Sequence, residues 1–531
     1  MIRSLRPLFA TKARNHETTK ADLVSCFRVF AFSCLRTSTA ERAKTAEKSF
    51  LRVLGMLGGC FSLAVALVAQ QAPDRSRPPE PGPPPPLTLP QIQKRQLSNG
   101  LPVWIVELHK VPVAHVNLVV LSGTAADPAG KFGIASLTAA MLEEGAGSRS
   151  ALEVADAIDY LGADLSTGAA TDSLAVRLHV PVARLADALP LMADVALRPT
   201  FPKDELERQR QERLTNIIQS RDDPAAIASA GFSRVLYGRG HRYGTPGFGT
   251  AETLKAFTVD DLRAFYAAAC RPNNAALIAV GDVTADKVVP MLESNFGSWK
   301  PPSAAPAAAQ QLPPVEQPAA REVILIDKPG APQTQIRIGW IGVPRSTPDY
   351  FPLLVLNTIL GGSFSSRLNM NLREKHGYTY GASSSFDMRA SAGPFSTGAG
   401  VQTDKTGDAL KEFFNELDAI LKPIPPDELA RAKNYVALRF PGGFETTSDV
   451  SRRLEDALVY KLPDDYFSKY VQNIQVVTAA DVQRVAQKYI QPGRFVVVVV
   501  GDRQQIEPQI RLLNLGNIRM LSVDEVFGPK P

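Results

Sequence analysis

Cysteine and histidine are both scarce in this sequence, and their scarcity excludes several chemistries at once. Only four cysteines occur in 531 residues, and three of them (Cys26, Cys34, Cys60) lie in the first 60. Cys270 is alone in the rest of the chain, so neither a disulfide framework nor a cysteine metal site is available there, and a buried structural thiol is expected. Beyond the first 90 residues the histidines are His109, His115, His179, His241 and His376. His115 and His179 each fall on the more polar face of an alternating strand, His179 together with Arg177, which is the pattern of a solvated or hydrogen-bonded imidazole. A genuine basic excess is missing as well. Thirteen of the 59 Lys and Arg and six of the 53 Asp and Glu fall in the first 80 residues, leaving 46 basic against 47 acidic. A body this close to neutral presents no basic patch for nucleic acid. No P-loop, no G-x-S-x-G elbow and no Cys/His nucleophile signature is present either. "LGGSFSSRL" at 360–368 lacks the strand and lysine of a phosphate loop; Gly361 and Gly362 are expected to end one helix before Ser363 or Ser365 caps the next.

What the chain does contain begins with a leader. Residues 1–50 are basic and precede an apolar run, "LRVLGMLGGCFSLAVALVA" at 51–69, flanked by Lys48 and Arg52 and followed by a polar stretch. This is the layout of a secretory signal over 51–72, with a retained membrane anchor as the alternative. Either places the protein outside the cytoplasm, periplasmic or otherwise extracytoplasmic. Translation starting later, for instance at Met56, would account for the unusual length in front of the signal. A proline-rich spacer over 73–90 follows, too poor in backbone donors to join a sheet.

The body repeats itself. Thr258, Asp261, Pro272, Gly281 and Asp282 recur as Thr478, Asp481, Pro492, Gly501 and Asp502, each 220 positions on, and "FPKDELERQR" recurs as "IPPDELARAK" 223 positions on. In both copies a helix opened by Thr-x-x-Asp leads through a proline to an apolar strand ending in Gly-Asp. The two halves span 91–302 and 321–522, joined by an Ala/Pro linker at 303–320 and followed by a tail at 523–531. Each half opens on strands; the first begins with "QLSNGLPVWIVEL", with an Asn-Gly turn, and "VAHVNLVVLSG", and continues with helices, a strand with Leu174, Val176, Leu178 and Val180 on one face, and long helices near 183–197 and 204–219. The fold class is α+β: two homologous α/β-sandwich halves, each a mostly antiparallel sheet with helices packed on one face.

The stretches "SNGLPVWIVE", "GTAADPAGKFGIASLTAAML", "HRYGTPGFGTAETLKAFTVDDLRAFY", "RPNNAALIAVGDV" and "LGGSFSSRLNMNLREKHGYTYG" resemble the insulinase/pitrilysin-type peptidases, the inverzincins, a family that includes mitochondrial processing peptidase. The resemblance runs from about 91 to 520. In such enzymes H-x-x-E-H places two imidazoles one helical turn apart on a zinc ion, with the glutamate acting on the attacking water, and a third ligand comes from a helix 75–80 residues later. Aligning Gly133 and Met141 with that motif puts Ser136 and Ala140 at the histidine positions, Ala139 at the glutamate, and Asn216 at the third ligand. Methyl groups hold no lone pair and one hydroxyl is a poor zinc ligand, so no catalytic residue, metal or cofactor is expected in this chain. Glu143 and Glu144, which end the same helix, read as surface charge.

The resemblance also implies what remains. Two-sided enzymes of the family carry an Arg and a Tyr seven residues apart in the second half that reach across a closed chamber to a substrate peptide, and Arg373 and Tyr380 have that spacing, on a helix ending at Gly377 and a strand with Tyr378 and Tyr380 on one face. A guanidinium and a phenol are both donors able to hold a peptide carbonyl. A cation in a last helical turn and a tyrosine in a strand are also favoured for structure alone. The implied function is that of a non-catalytic subunit that binds peptide through Arg373 and Tyr380 and complements a zinc-bearing partner of the same family, as a heterodimer or, with a second copy, a homodimer. The alternative is a structural or assembly protein of the same fold with no part in cleavage.

Overall fold

Alternating apolar residues in the strands and apolar faces on the helices build two sheets that share the order of their inner strands. The computed structural model describes residues 91–300 and 312–531. The leader, the signal or anchor at 51–72, the proline spacer and the first part of the linker lie outside the described residues. Among the described residues no helix is long and apolar enough to cross a membrane.

In the first half the strands are β1 (Gln93–Gln96), β2 (Pro102–Glu107), β3 (Val113–Val120), β4 (Gly145–Ala146), β5 (Arg149–Ser150), β6 (Asp164–Ala169), β7 (Leu174–Pro181) and β8 (Ala275–Gly281). The second half supplies β9 (Glu322–Asp327), β10 (Gln333–Ile341), β11 (Thr379–Phe386), β12 (Pro394–Gln402), β13 (Val496–Gly501) and β14 (Asn517–Met520). One six-stranded sheet runs β1-β2-β8-β3-β7-β6 and the other β11-β12-β10-β13-β9-β14. Each is mostly antiparallel, with β2 and β8 parallel in the first sheet and β9 parallel to both β13 and β14 in the second. The capping boxes read from Thr258/Asp261 and Thr478/Asp481 are formed, each threonine accepting from the aspartate's backbone N–H while the carboxylate accepts from the threonine's.

Each half's own helices cover one face of its sheet, where Val103, Ile105, Val116, Leu118, Val176 and Leu178 meet Leu137, Leu189, Leu262 and Leu292 in the first half's core. The second face is covered by a helix from the opposite half. Thr447–Val459 packs on β3 and β8, and Pro224–Tyr237 on β10 and β13. These two helices are repeat equivalents, beginning 223 positions apart. The polar face read for β3 and β7 is therefore the seat of a helix. His115 and His179 stack there at 4.3 Å, His115 Nδ1 lies 3.3 Å from Thr447 Oγ1, and Asn117 donates to Ser451 and Glu455 at 2.7 and 2.6 Å. Arg177 grips Glu455 through two bonds of 2.9 and 2.7 Å. The residues read as a tail contain a further helix, Val523–Phe527, whose Val526 carbonyl accepts from the buried Arg234. Cys270 is buried, as expected.

Candidate functional site

The helix Ile134–Met141 carries Ser136, Ala139 and Ala140. Its start is fixed by a buried carboxylate: Asp127 accepts from the backbone N–H of Gly133 at 2.6 Å and of Ala135 at 2.9 Å, taking up two of the donors that a helix N-terminus leaves without partners. Arg242, equally buried, donates to the same carboxylate at 2.9 Å. Gly133 adopts φ +103°, and a side chain there would strike the Phe248 carbonyl, so the turn into the helix requires glycine. Ala139 is fully buried, while Ser136 and Ala140 are half-buried on the face toward the helix Lys203–Asp222.

That helix carries Asn216, which is exposed. One turn before it stands Arg213, which enters the degenerate site. Its Nη1 donates to Ser136 Oγ at 3.0 Å and its Nη2 to the Ser136 carbonyl at 3.1 Å. A guanidinium thus holds the side chain at the first histidine position. Residues at i and i+3 share a helix face, and the sequence signal for Arg213 was its place three residues before Asn216. The ligand set does not fit a zinc ion: a serine, an alanine and an asparagine stand at the three ligand positions, and a cation is bonded to the serine. No group of three or more His, Cys, Asp or Glu side chains is placed to hold a metal among the described residues.

The same pair of helices is clamped a second time, which corrects the reading of Glu143 and Glu144 as surface charge. Glu144 is buried, accepting from Arg208 and from Gln209, the latter at 2.6 Å. Glu143 is half-buried, its carboxyl raised above the usual range by burial, with Thr167 donating to it at 3.2 Å.

Arg373 and Tyr380 lie in the second half. The helix that begins at Arg367–Asn369 runs on as a wider π turn over Met370–Lys375 and stops at Gly377, φ +66°. Its first turn is entered from Ser366, not Ser363 or Ser365; Ser363 donates instead to the Thr358 carbonyl at 3.1 Å, closing the preceding helix. Arg373 lies over the Phe364 ring at 4.8 Å and beside Glu374 at 3.1 Å. Tyr380 is 89% exposed. The pairing of β11 with β12 skips from Thr379–Val401 to Ala382–Ala399, a bulge that separates the two tyrosines expected on one face. Tyr378 turns to the core margin and stacks on His376 at 5.0 Å, while Tyr380 is left in solvent. Phe364 and Met370 are exposed beside them. No hydrogen bond or ring contact among the described residues joins this cluster to the site around Ser136.

Comparisons with known proteins agree with this two-half architecture. A family model described as insulinase (peptidase family M16) matches residues 103–235, and one described as the peptidase M16 inactive domain matches 256–436. An uncharacterized zinc protease of Streptomyces coelicolor is 26% identical over 78% of this chain and 91% of its own. A solved peptidase M16 inactive domain from Pseudomonas fluorescens shares 29% identity, covering 77% of this chain and 98% of that one with a TM-score of 0.71. A protease from Helicobacter pylori, 22% identical, has the same fold over 78% of this chain and all of its own, with a TM-score of 0.70.

Proposed function

The chain belongs to the insulinase family of peptidases, M16, and from that premise we propose that it serves as a non-catalytic subunit that binds peptide and works with a zinc-bearing partner of the same family. The observation that carries this reading is the Arg213 guanidinium bonded to Ser136 in a site whose other ligand positions are alanine and an exposed asparagine. A chain in that condition contributes binding rather than chemistry. Arg373 and Tyr380 are its binding element: both are exposed, and both offer donors to a peptide carbonyl. Phe364 and Met370 add apolar surface beside them. An exported leader would place the pair and its peptide substrates outside the cytoplasm.

The test is metal analysis and reconstitution. The chain purified alone should hold far less than one zinc per molecule and leave unfolded peptides uncut, and cleavage should appear with the native partner isolated by co-purification. Arg373→Ala with Tyr380→Phe should raise the KM of that pair about tenfold or more, the loss expected from removing charged and neutral donors together. Stoichiometric zinc in the isolated chain would overturn the reading. An unchanged KM in the double variant would leave an assembly role in its place.

A further inference from the structure

Among the described residues Arg213 has no ion-pair partner, and Glu212 acts on it only through space. Its helix neighbours have such partners: Arg208 pairs with Glu144 and Glu205, and Arg210 with Glu207 at 2.9 Å. Arg213 bonds only Ser136, through one hydroxyl and one carbonyl, both neutral, and among the described residues no carboxylate lies within ion-pair distance of it. Glu212, next to it in the chain, is directed to Arg208 at 3.7 Å. The Nε–H is buried without an acceptor. Burial accordingly lowers the affinity of this guanidinium for its own proton.

A desolvated cation held only by neutral acceptors is a deficit that an anion removes. Five N–H groups radiate from a guanidinium in a fixed fork that matches a carboxylate. Ser136 takes one donor from each terminal nitrogen, leaving another on each. Ala140, one turn after Ser136 on the same helix face, carries only a methyl group and is half-buried, while Ala139 is fully buried.

We infer that the degenerate centre is an anion site, in which Arg213, fixed by Ser136, receives a carboxylate of a bound peptide. A centre without metal ligands holds one permanent positive charge, and the ligand class it suits is a carboxylate. The source is either the C-terminal carboxylate or an acidic side chain. The inference rests on the peptide-binding reading above, but concerns a different half of the molecule from Arg373 and Tyr380.

The experiment uses the full chain and fluorescently labelled unfolded peptides in three forms: free acid, C-terminal amide, and amide with its Asp and Glu changed to Asn and Gln. Wild type should bind the carboxylate-bearing form about tenfold more tightly than its neutral counterpart, the scale of a charged hydrogen bond. The acid-to-amide ratio reports the C-terminus, and the ratio between the two amides reports side chains. Arg213→Gln should bring the preferred ratio to near one. Arg373→Ala should weaken all three forms alike and leave the ratios intact. A photo-crosslinker beside the favoured carboxylate, used on the unaltered chain, should label 134–141 or 203–222, which keeps the test decisive if Arg213→Gln does not fold. Equal binding of all three forms by wild type, or crosslinks confined elsewhere, overturns the anion site alone. Loss of all peptide binding overturns the functional reading beneath it.

Discussion

At the residue scale the informative exchange is a metal for a guanidinium. A Zn²⁺ ion and a guanidinium about 4 Å apart repel by roughly 8 kcal/mol at an effective dielectric near 20. A full protein ligand set supplies about 10–16 kcal/mol of zinc affinity. The repulsion therefore cancels half or more of the binding, and restoring the ligands alone is not enough. The variant Ser136→His, Ala139→Glu, Ala140→His, Asn216→Glu should emerge from dialysis with little zinc, and adding Arg213→Leu should bring it close to one equivalent by elemental mass spectrometry. Full occupancy with Arg213 in place would show that its side chain swings aside freely. The four lost positions were legible because each is read against a motif of fixed spacing. Arg213 could be read only as a neighbour of Asn216 one turn on; its bond to Ser136, 77 residues away, could not, because only the pairing of two helices brings them together.

At the scale of elements, the capping boxes, the Gly-Asp strands and the helix end at Gly377 could be read directly, since each is decided within a few residues. The bulge at Tyr380 could not, because it depends on the register with β12. Neither could the exchange of helices between the halves. Period and polarity say that one face of Thr447–Val459 is buried, but not against which sheet. The polar side of β3 and β7 was misleading for the same reason: its Asn117 and Arg177 are the partners of a helix that the chain delivers 334 and 278 residues later. Glu455 is the centre of that contact, accepting from Asn117 and twice from Arg177. Arg177 is 38% exposed, which screens part of the charge attraction. Glu455→Gln should therefore cost about 1–2 kcal/mol, read as a lower urea midpoint with an unchanged slope. A midpoint equal to wild type would mean that the apolar contacts of Val450, Leu454 and Ala457 alone hold the helix.

Over the whole molecule the two halves are joined by this exchange, and the stacked His115 and His179 make the joint sensitive to acid. His115 is flanked by His179 on β7 and by Thr447 of the crossing helix; Arg177, Glu455 and Asp164, the strand partner of His179, are the charged groups around it. Burial, and then the neighbouring His179, hold its imidazole at about 4, below the ordinary 6.5. The unfolded chain takes up that proton first as pH falls, so the stabilisation is complete above about 6.5 and is lost progressively as pH drops toward 4. Asp127 acts in the opposite sense over part of this range, since burial raises its carboxyl to about 6; its contribution is present at low pH and lost as pH rises through 6. The quantity to measure is therefore the difference between wild type and His115→Asn, a neutral side chain that keeps a hydrogen bond to Thr447 within reach. That difference should favour wild type less at pH 4.5 than at pH 7.5 in urea denaturation. Hydrogen exchange of wild type at pH 4.5 should show 447–459 losing protection before either core sheet, because the proton enters at the joint. If the two proteins have parallel stability profiles from pH 4.5 to 7.5, His115 is not the group through which acid loosens the halves.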